Sequence, residues 1–194
     1  EWLVHLLETI RTTPHLDWLL LTKRPENFTR RLKEAFIEAT WKGPLADWIW
    51  QWGAVKMAPV NVWIGASAED QKRADERIPA LLQIPVKVRF LSCEPLLGPI
   101  EFSDVLRRSD AVAQLGRRAL SGIDWVIVGG ESGSKDKVRV CALEWVDGIR
   151  RQCEAADIAC FVKQLGTNPY VENANLWDWP VDDEIGLYCD PPES

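Results

Sequence analysis

Residues Asp124 to Gly133 read Asp-Trp-Val-Ile-Val-Gly-Gly-Glu-Ser-Gly. A short run of β-branched and aromatic residues that stops at paired glycines has the pattern of a buried strand feeding a turn. Four more runs share it: Asp17 to Thr22 (DWLLLT), Asn61 to Ala66 (NVWIGA), Lys87 to Ser92 (KVRFLS) and Ala159 to Lys163 (ACFVK). None alternates strictly between apolar and polar, as a one-sided antiparallel sheet would, so the pattern predicts parallel strands covered on both faces.

Helical periodicity fills the intervals. Glu26 to Thr40 follows Pro25, which suits a first helical turn, and puts Phe28, Leu32, Phe36 and Ile37 on one stripe. Glu69 to Leu82 does the same with Ala74, Ile78, Leu81 and Leu82, although Pro79 is expected to kink or divide it. Ala142 to Ala156 aligns Leu143, Val146, Ile149, Arg150 and Cys153, and Trp2 to Arg11 is an amphipathic helix with no strand before it. Arg107 to Arg118 reads as a short helix plus loop. Strand followed by helix, repeated, predicts an α/β fold: a partial parallel (β/α) barrel, TIM-like, with about five strands. Residues 1–166 would form the barrel part and residues 167–194 an irregular cap or tail ending in an acidic Asp182-Asp183-Glu184 stretch. A barrel short of strands leaves unpaired edges at Asp17 to Thr22 and Ala159 to Lys163.

Bulk composition narrows the function classes. At 194 residues and 46% hydrophobic, the chain suffices for one domain with a sizeable core. No apolar run approaches the roughly 18 residues a membrane span requires, and no signal-peptide pattern opens the chain, so the expected compartment is the cytoplasm. A net charge of −6 gives no strong nucleic-acid signal. The five cysteines form no Cys-x-x-Cys pair and read as reduced core thiols. The Trp-rich segment Trp41 to Trp52 is either an aromatic platform or, since Trp48 and Trp52 share a helical face, core packing; the second reading is preferred.

In βα-repeat folds ligands bind at the carboxyl ends of the strands. Here those ends carry Lys23 and Arg24, Ser67 and Glu69, Glu94, the Gly129-Gly130-Glu131-Ser132 turn, and Lys163. Each strand delivers charge to one face, and partly buried charges are costly unless they serve one another or a ligand. The ring is therefore the candidate site. Neither a Gly-x-Gly-x-x-Gly fingerprint nor a phosphate-binding loop is present, and no serine sits in a Gly-x-Ser-x-Gly elbow. His5 and His15 lie away from the strand ends, which argues against zinc; no metal site is predicted.

The turns LTKRPENF, NVWIGASAEDQ, RFLSCEPLLGP, DWVIVGGESG and FVKQLG, in this order, resemble a widespread phage and bacterial family of uncharacterised proteins. Members of that family are similar to radical S-adenosylmethionine (radical-SAM) enzymes, with a three-cysteine motif of the kind that holds a [4Fe-4S] cluster. The resemblance implies a radical-SAM-like partial barrel in which Ser67, Glu69, Gly129, Gly130, Glu131 and Ser132 contact S-adenosylmethionine, while Lys23, Arg24, Glu94 and Lys163 face the substrate as catalytic polar or acid–base groups. The family's cysteines follow a first strand that this sequence lacks, so the expectation is a truncated C-terminal portion, inactive as given, with the cluster supplied only by an absent N-terminal segment. The alternative is a non-catalytic phage-encoded protein that keeps the scaffold and binds a host protein partner.

Overall fold

The computed structural model describes residues 1–39, 43–102, 120, 122–134 and 136–171. Trp41, the Arg107 to Arg118 stretch, Cys189 and the acidic Asp182 to Glu184 lie outside the described residues.

All five expected strands form, each within a residue of its expected bounds: β1 (Trp18–Thr22), β2 (Val62–Ser67), β3 (Val88–Cys93), β4 (Trp125–Gly129) and, after the two-residue β5 (Cys141–Ala142), β6 (Ala159–Gln164). They make one parallel sheet in the order β1-β2-β3-β4-β6. Each main strand lies beside its predecessor. Right-handed crossovers that always step the same way deposit every connecting helix on one face. The chain is thus a mixed α/β fold with a five-strand parallel sheet; among the described residues β1 and β6 are its edges, and no pairing closes it.

The helix layer consists of α1 (Trp2–Thr12), α2 (Phe28–Glu38), α3 (Pro44–Gly53), α4 (Gln71–Leu82) and α5 (Leu143–Ala156). Its apolar faces bury Leu7, Ile10, Leu32, Ile49, Ile78 and Ile149 against Val62, Ile64, Leu91, Val126 and Val128 of the sheet. Within α3, Trp52 is buried, donates its Nε1–H to the Pro85 carbonyl (2.7 Å), and meets Phe28 and Trp48 edge-on at 5.3 and 5.6 Å. Core packing, the preferred reading of the Trp-rich segment, holds for these residues. Cys93, Cys141, Cys153 and Cys160 are free and buried, as expected.

The other face differs from expectation. β2 is buried throughout, but Leu19 and Leu21 of β1 are about half exposed. Trp63, Val88 and Phe90 pack there with Trp125 and Ile127 as a separate small cluster. Gly65 makes room for the Phe90 ring, which a Cβ would overlap. A single-direction winding supplies helices to one face only, so coverage of both faces does not extend to the sheet edge.

Three helical expectations also shift. Pro25 begins a 3₁₀ turn (Pro25–Asn27) before α2, and Ile37 is exposed. Five residues of helix turn about 500°, which puts Ile37 some 140° from Leu32, whereas Ala35 stays on the buried side. Pro79 does not divide α4, which runs unbroken from Gln71 to Leu82; the proline forgoes the one helical hydrogen bond that its own N–H would make. Arg150 lies at the rim of α5, bonded to Asp147 and Glu154, rather than on the apolar side.

Asp70 sets the start of α4: its carboxylate accepts the Arg73 backbone N–H at 2.8 Å. Asp70→Ala is expected to cost about 1 kcal/mol, read as a fall in Tm of roughly 2–4 °C. No helix among the described residues is long and apolar enough to cross a membrane.

Candidate functional site

Because the strands are parallel, their carboxyl ends line up on one side in the order of the sheet. The turns there are tied to one another by backbone bonds: Ala68 N–H to Ser92 O (2.9 Å), Leu97 N–H to Glu69 O (2.8 Å), Leu96 N–H to Gly129 O (2.8 Å) and Gly130 N–H to Gln164 O (2.9 Å). The side chains presented are held on a fixed frame.

At the β1–β2 end, Glu69 is a buried carboxylate between two cations. Lys23 Nζ stands 2.8 Å from Oε1, and Arg77 Nη1, reaching back from α4, stands 2.7 Å from Oε2 while also donating to the Ser67 carbonyl at 2.8 Å. Burial pushes the Glu69 carboxyl up, but the Lys23 hydrogen bond, its own backbone N–H and the charges of Arg77 and Lys23 outweigh this, so it rests below the usual carboxylate range. Arg24 is exposed, and its backbone N–H bonds Thr22 Oγ1.

At the centre, Glu94 leaves β3 and lies over β4. A Cβ on Gly129 would fall 2.8 Å from Glu94 Oε1, so the glycine's missing side chain is what gives the carboxylate its place. Lys163 Nζ approaches Oε1 and Ser92 Oγ donates to Oε2, both at 3.3 Å. Ser67 and Ser92 are buried.

At the β4 turn, Arg139 holds Glu131 by donating from Nε and Nη2, at 2.9 and 2.8 Å, and from its backbone N–H at 2.9 Å. Those bonds, side chain first, bring the Glu131 carboxyl down to about 2. Arg139 is raised in return, chiefly by the Glu131 bond, with Glu69 adding to the effect across the site. Gly130 packs against the Leu165 carbonyl and Gly166 against Glu131, so the freedom of this turn serves an interlock with the loop after β6. Ser132 is exposed.

All the predicted residues but Arg24 therefore fall into three groups along one row: Lys23 and, through its carbonyl's bond to Arg77, Ser67 with Glu69; Glu94 with Lys163 over Gly129; and Glu131 in its turn with Gly130 and Ser132. Arg77, Arg139 and Ser92 complete them and were not singled out by sequence. Arg77 and Arg139 each lie eight residues after their glutamate, but Glu69 precedes the first turn of α4 and Glu131 lies in a loop, so no shared helical face encodes either pair.

The family described as protein of unknown function (DUF5131) matches residues 1–176. The chain belongs to that family. No curated protein and no solved structure matches it. In this DUF5131 chain, no three His, Cys, Asp or Glu side chains among the described residues converge as a metal site. The thiol of Cys93 is pushed up by burial, away from the thiolate a metal requires.

Proposed function

We propose that the chain is a radical-SAM-like partial barrel whose strand carboxyl ends bind S-adenosylmethionine. The observation that carries this is the row Lys23, Glu69, Glu94, Lys163, in which lysines bracket two carboxylates on one rigid frame. An amino-acid end group is a zwitterion and matches such a row. Its ammonium pairs with Glu94, and its carboxylate pairs with Lys163 or Lys23, both of which are mostly exposed and already aimed at the row. Charge-assisted bonds of this kind are the strong ones. Ser92 and Gly129 act indirectly, by fixing where the Glu94 carboxylate lies. Arg139 already occupies Glu131, and Lys23 and Arg77 occupy both oxygens of Glu69, which leaves Glu94, with Lys163 at 3.3 Å, as the better acceptor for a cofactor amine.

A [4Fe-4S] cluster does not fit the residues at hand: the four described cysteines are buried on separate elements, and no ligand triple forms among the described residues. The proposal is therefore one of binding.

Isothermal titration of the chain with S-adenosylmethionine is expected to give saturable binding. Loss of one charged hydrogen bond costs about 1.5–3 kcal/mol, so Glu94→Gln is expected to weaken it at least roughly tenfold. No binding to a folded wild-type chain, or equal binding by Glu94→Gln, overturns the reading. A second reading, a scaffold that binds a host protein without catalysis, draws support from Leu16 and Val60, exposed apolar residues just before β1 and β2, at the end opposite the site.

A further inference from the structure

β1 is an edge of the sheet among the described residues, and its two sides differ. Trp18 donates its backbone N–H to Asn61 O at 2.8 Å and stands opposite Val62 in the parallel register. Backbone groups alternate in direction along a strand, so Trp18, Leu20 and Thr22 turn theirs toward β2. Leu19 and Leu21 turn theirs outward, where no described strand pairs with them. The side chains of these two residues are also the exposed ones, at 47% and 52%, whereas Trp18 and Leu20 pack against the main core. An unpaired edge that carries exposed leucines is a template for another strand.

This edge is complementary to itself. Asp17 precedes it and Lys23 and Arg24 follow it, all three exposed. Two copies of β1 laid antiparallel about Leu20 set Leu19 against Leu21 and Asp17 against Lys23, because each pair lies equally far on either side of Leu20. Leu19 and Leu21 then become the pair that exchanges both backbone bonds, as their outward groups require, and opposite charges face each other across the strands. Moving the register by two residues keeps the bonds but sets Asp17 against Leu21, or Lys23 against Leu19. The β6 edge is a poorer partner. Laid parallel to β1 it puts Lys163 at the same end as Lys23 and Asp157 at the same end as Asp17, and its Phe161 is already partly buried. A β1–β6 contact is also head-to-tail, whereas a β1–β1 contact is isologous and closes with two copies.

We infer that two copies of this chain pair through β1, antiparallel and centred on Leu20, so that their sheets become continuous. Leu19 and Leu21 of both copies form one apolar strip on the open face. The partner's Asp17 adds a carboxylate beside Lys23, at the rim of the candidate site.

Zero-length carbodiimide coupling tests this without any ligand, and so independently of S-adenosylmethionine binding. Asp17 and Lys23 lie at opposite ends of an extended strand, about 20 Å apart, and couple only between copies. A mixture of unlabelled and heavy-isotope-labelled chains is expected to give Asp17–Lys23 products of mixed label, with Glu69–Lys23 products of single label as the internal control. Sedimentation equilibrium is expected to show a monomer–dimer equilibrium. Leu19→Lys/Leu21→Lys, at positions already half exposed, is expected to stay folded, to weaken the dimer at least about tenfold and to abolish the mixed product. Asp17→Lys lies outside the strand and sets a lysine against Lys23; it is expected to weaken the dimer as well. A chain that stays monomeric at roughly 100 μM, coupling of Asp17 to Lys163 in place of Lys23, or a dimer that both variants leave intact overturns the inference.

Discussion

Glu69→Gln is expected to lower the Tm by roughly 6–12 °C, the equivalent of about 3 kcal/mol in a domain of this size. Shape is nearly conserved, so the loss is electrostatic. It falls on Arg77, whose side chain is 12% exposed and whose remaining acceptor is the Ser67 carbonyl. Lys23, at 63% exposed, returns to water at little cost. Lys23→Met is therefore expected to change stability by no more than about 1 kcal/mol, as for a surface pair. Removing both buried partners, in Glu69→Gln/Arg77→Met, is expected to recover part of the loss, because no unpaired guanidinium is left behind. Equal, small effects of Glu69→Gln and Lys23→Met in thermal melts would show that the pair behaves as solvated charge.

The same carboxylate sets an acid limit. A Glu titrates near 4.3 when unfolded, and Glu69 titrates lower when folded. The unfolded chain thus takes up the proton first. The contribution of Glu69 is present in full above about pH 4.3 and is lost as pH falls through the lower folded value. The stability gap between wild type and Glu69→Gln should be flat from neutrality to about pH 5 and close below that. Glu131, held down to about 2 by Arg139, works in the same direction.

The strands were legible because a parallel strand, buried on both sides, must be written as a continuous apolar run, as Val62 to Ala66 is. The limit of that logic is Leu19 and Leu21. An apolar residue on an uncovered face looks the same in sequence as one under a helix, so the open face became visible only from strand order. At the site, the glutamates could be read because their place after a strand is a sequence property. Their partners could not all be, since Arg139 returns to Glu131 through a loop with no periodicity. The glycines were half legible. Gly129 does clear space at the strand ends, for Glu94; what Gly130 touches is a carbonyl 35 residues away, which no local pattern encodes.

That contact makes Gly130→Ala the second large effect. A Cβ there would overlap the Leu165 carbonyl and lie 2.9 Å from the Gly166 nitrogen, and these are backbone atoms that cannot rotate away. The two loops must separate. With them go the bonds Gly130 N–H to Gln164 O, Thr167 N–H to Glu131 O and Gly133 N–H to Thr167 Oγ1, at 2.9, 2.9 and 3.1 Å. Overpacking of this kind costs about 1–3 kcal/mol, and each lost bond adds about 1 kcal/mol. A Tm fall of roughly 8 °C or more follows. Gly129→Ala separates stability from binding, because its Cβ meets mainly the end of the Glu94 side chain, which can swing aside. It should melt close to wild type and bind S-adenosylmethionine as weakly as Glu94→Gln. Gly148→Ala is the control: no atom lies within 4 Å of its Cβ position in the middle of α5, and a helix-interior alanine there should raise stability by about 0.5–1 kcal/mol. If Gly130→Ala melts like Gly148→Ala, the two loops are not interlocked, and the frame that holds Glu94 and Glu131 in one row is looser than these contacts make it.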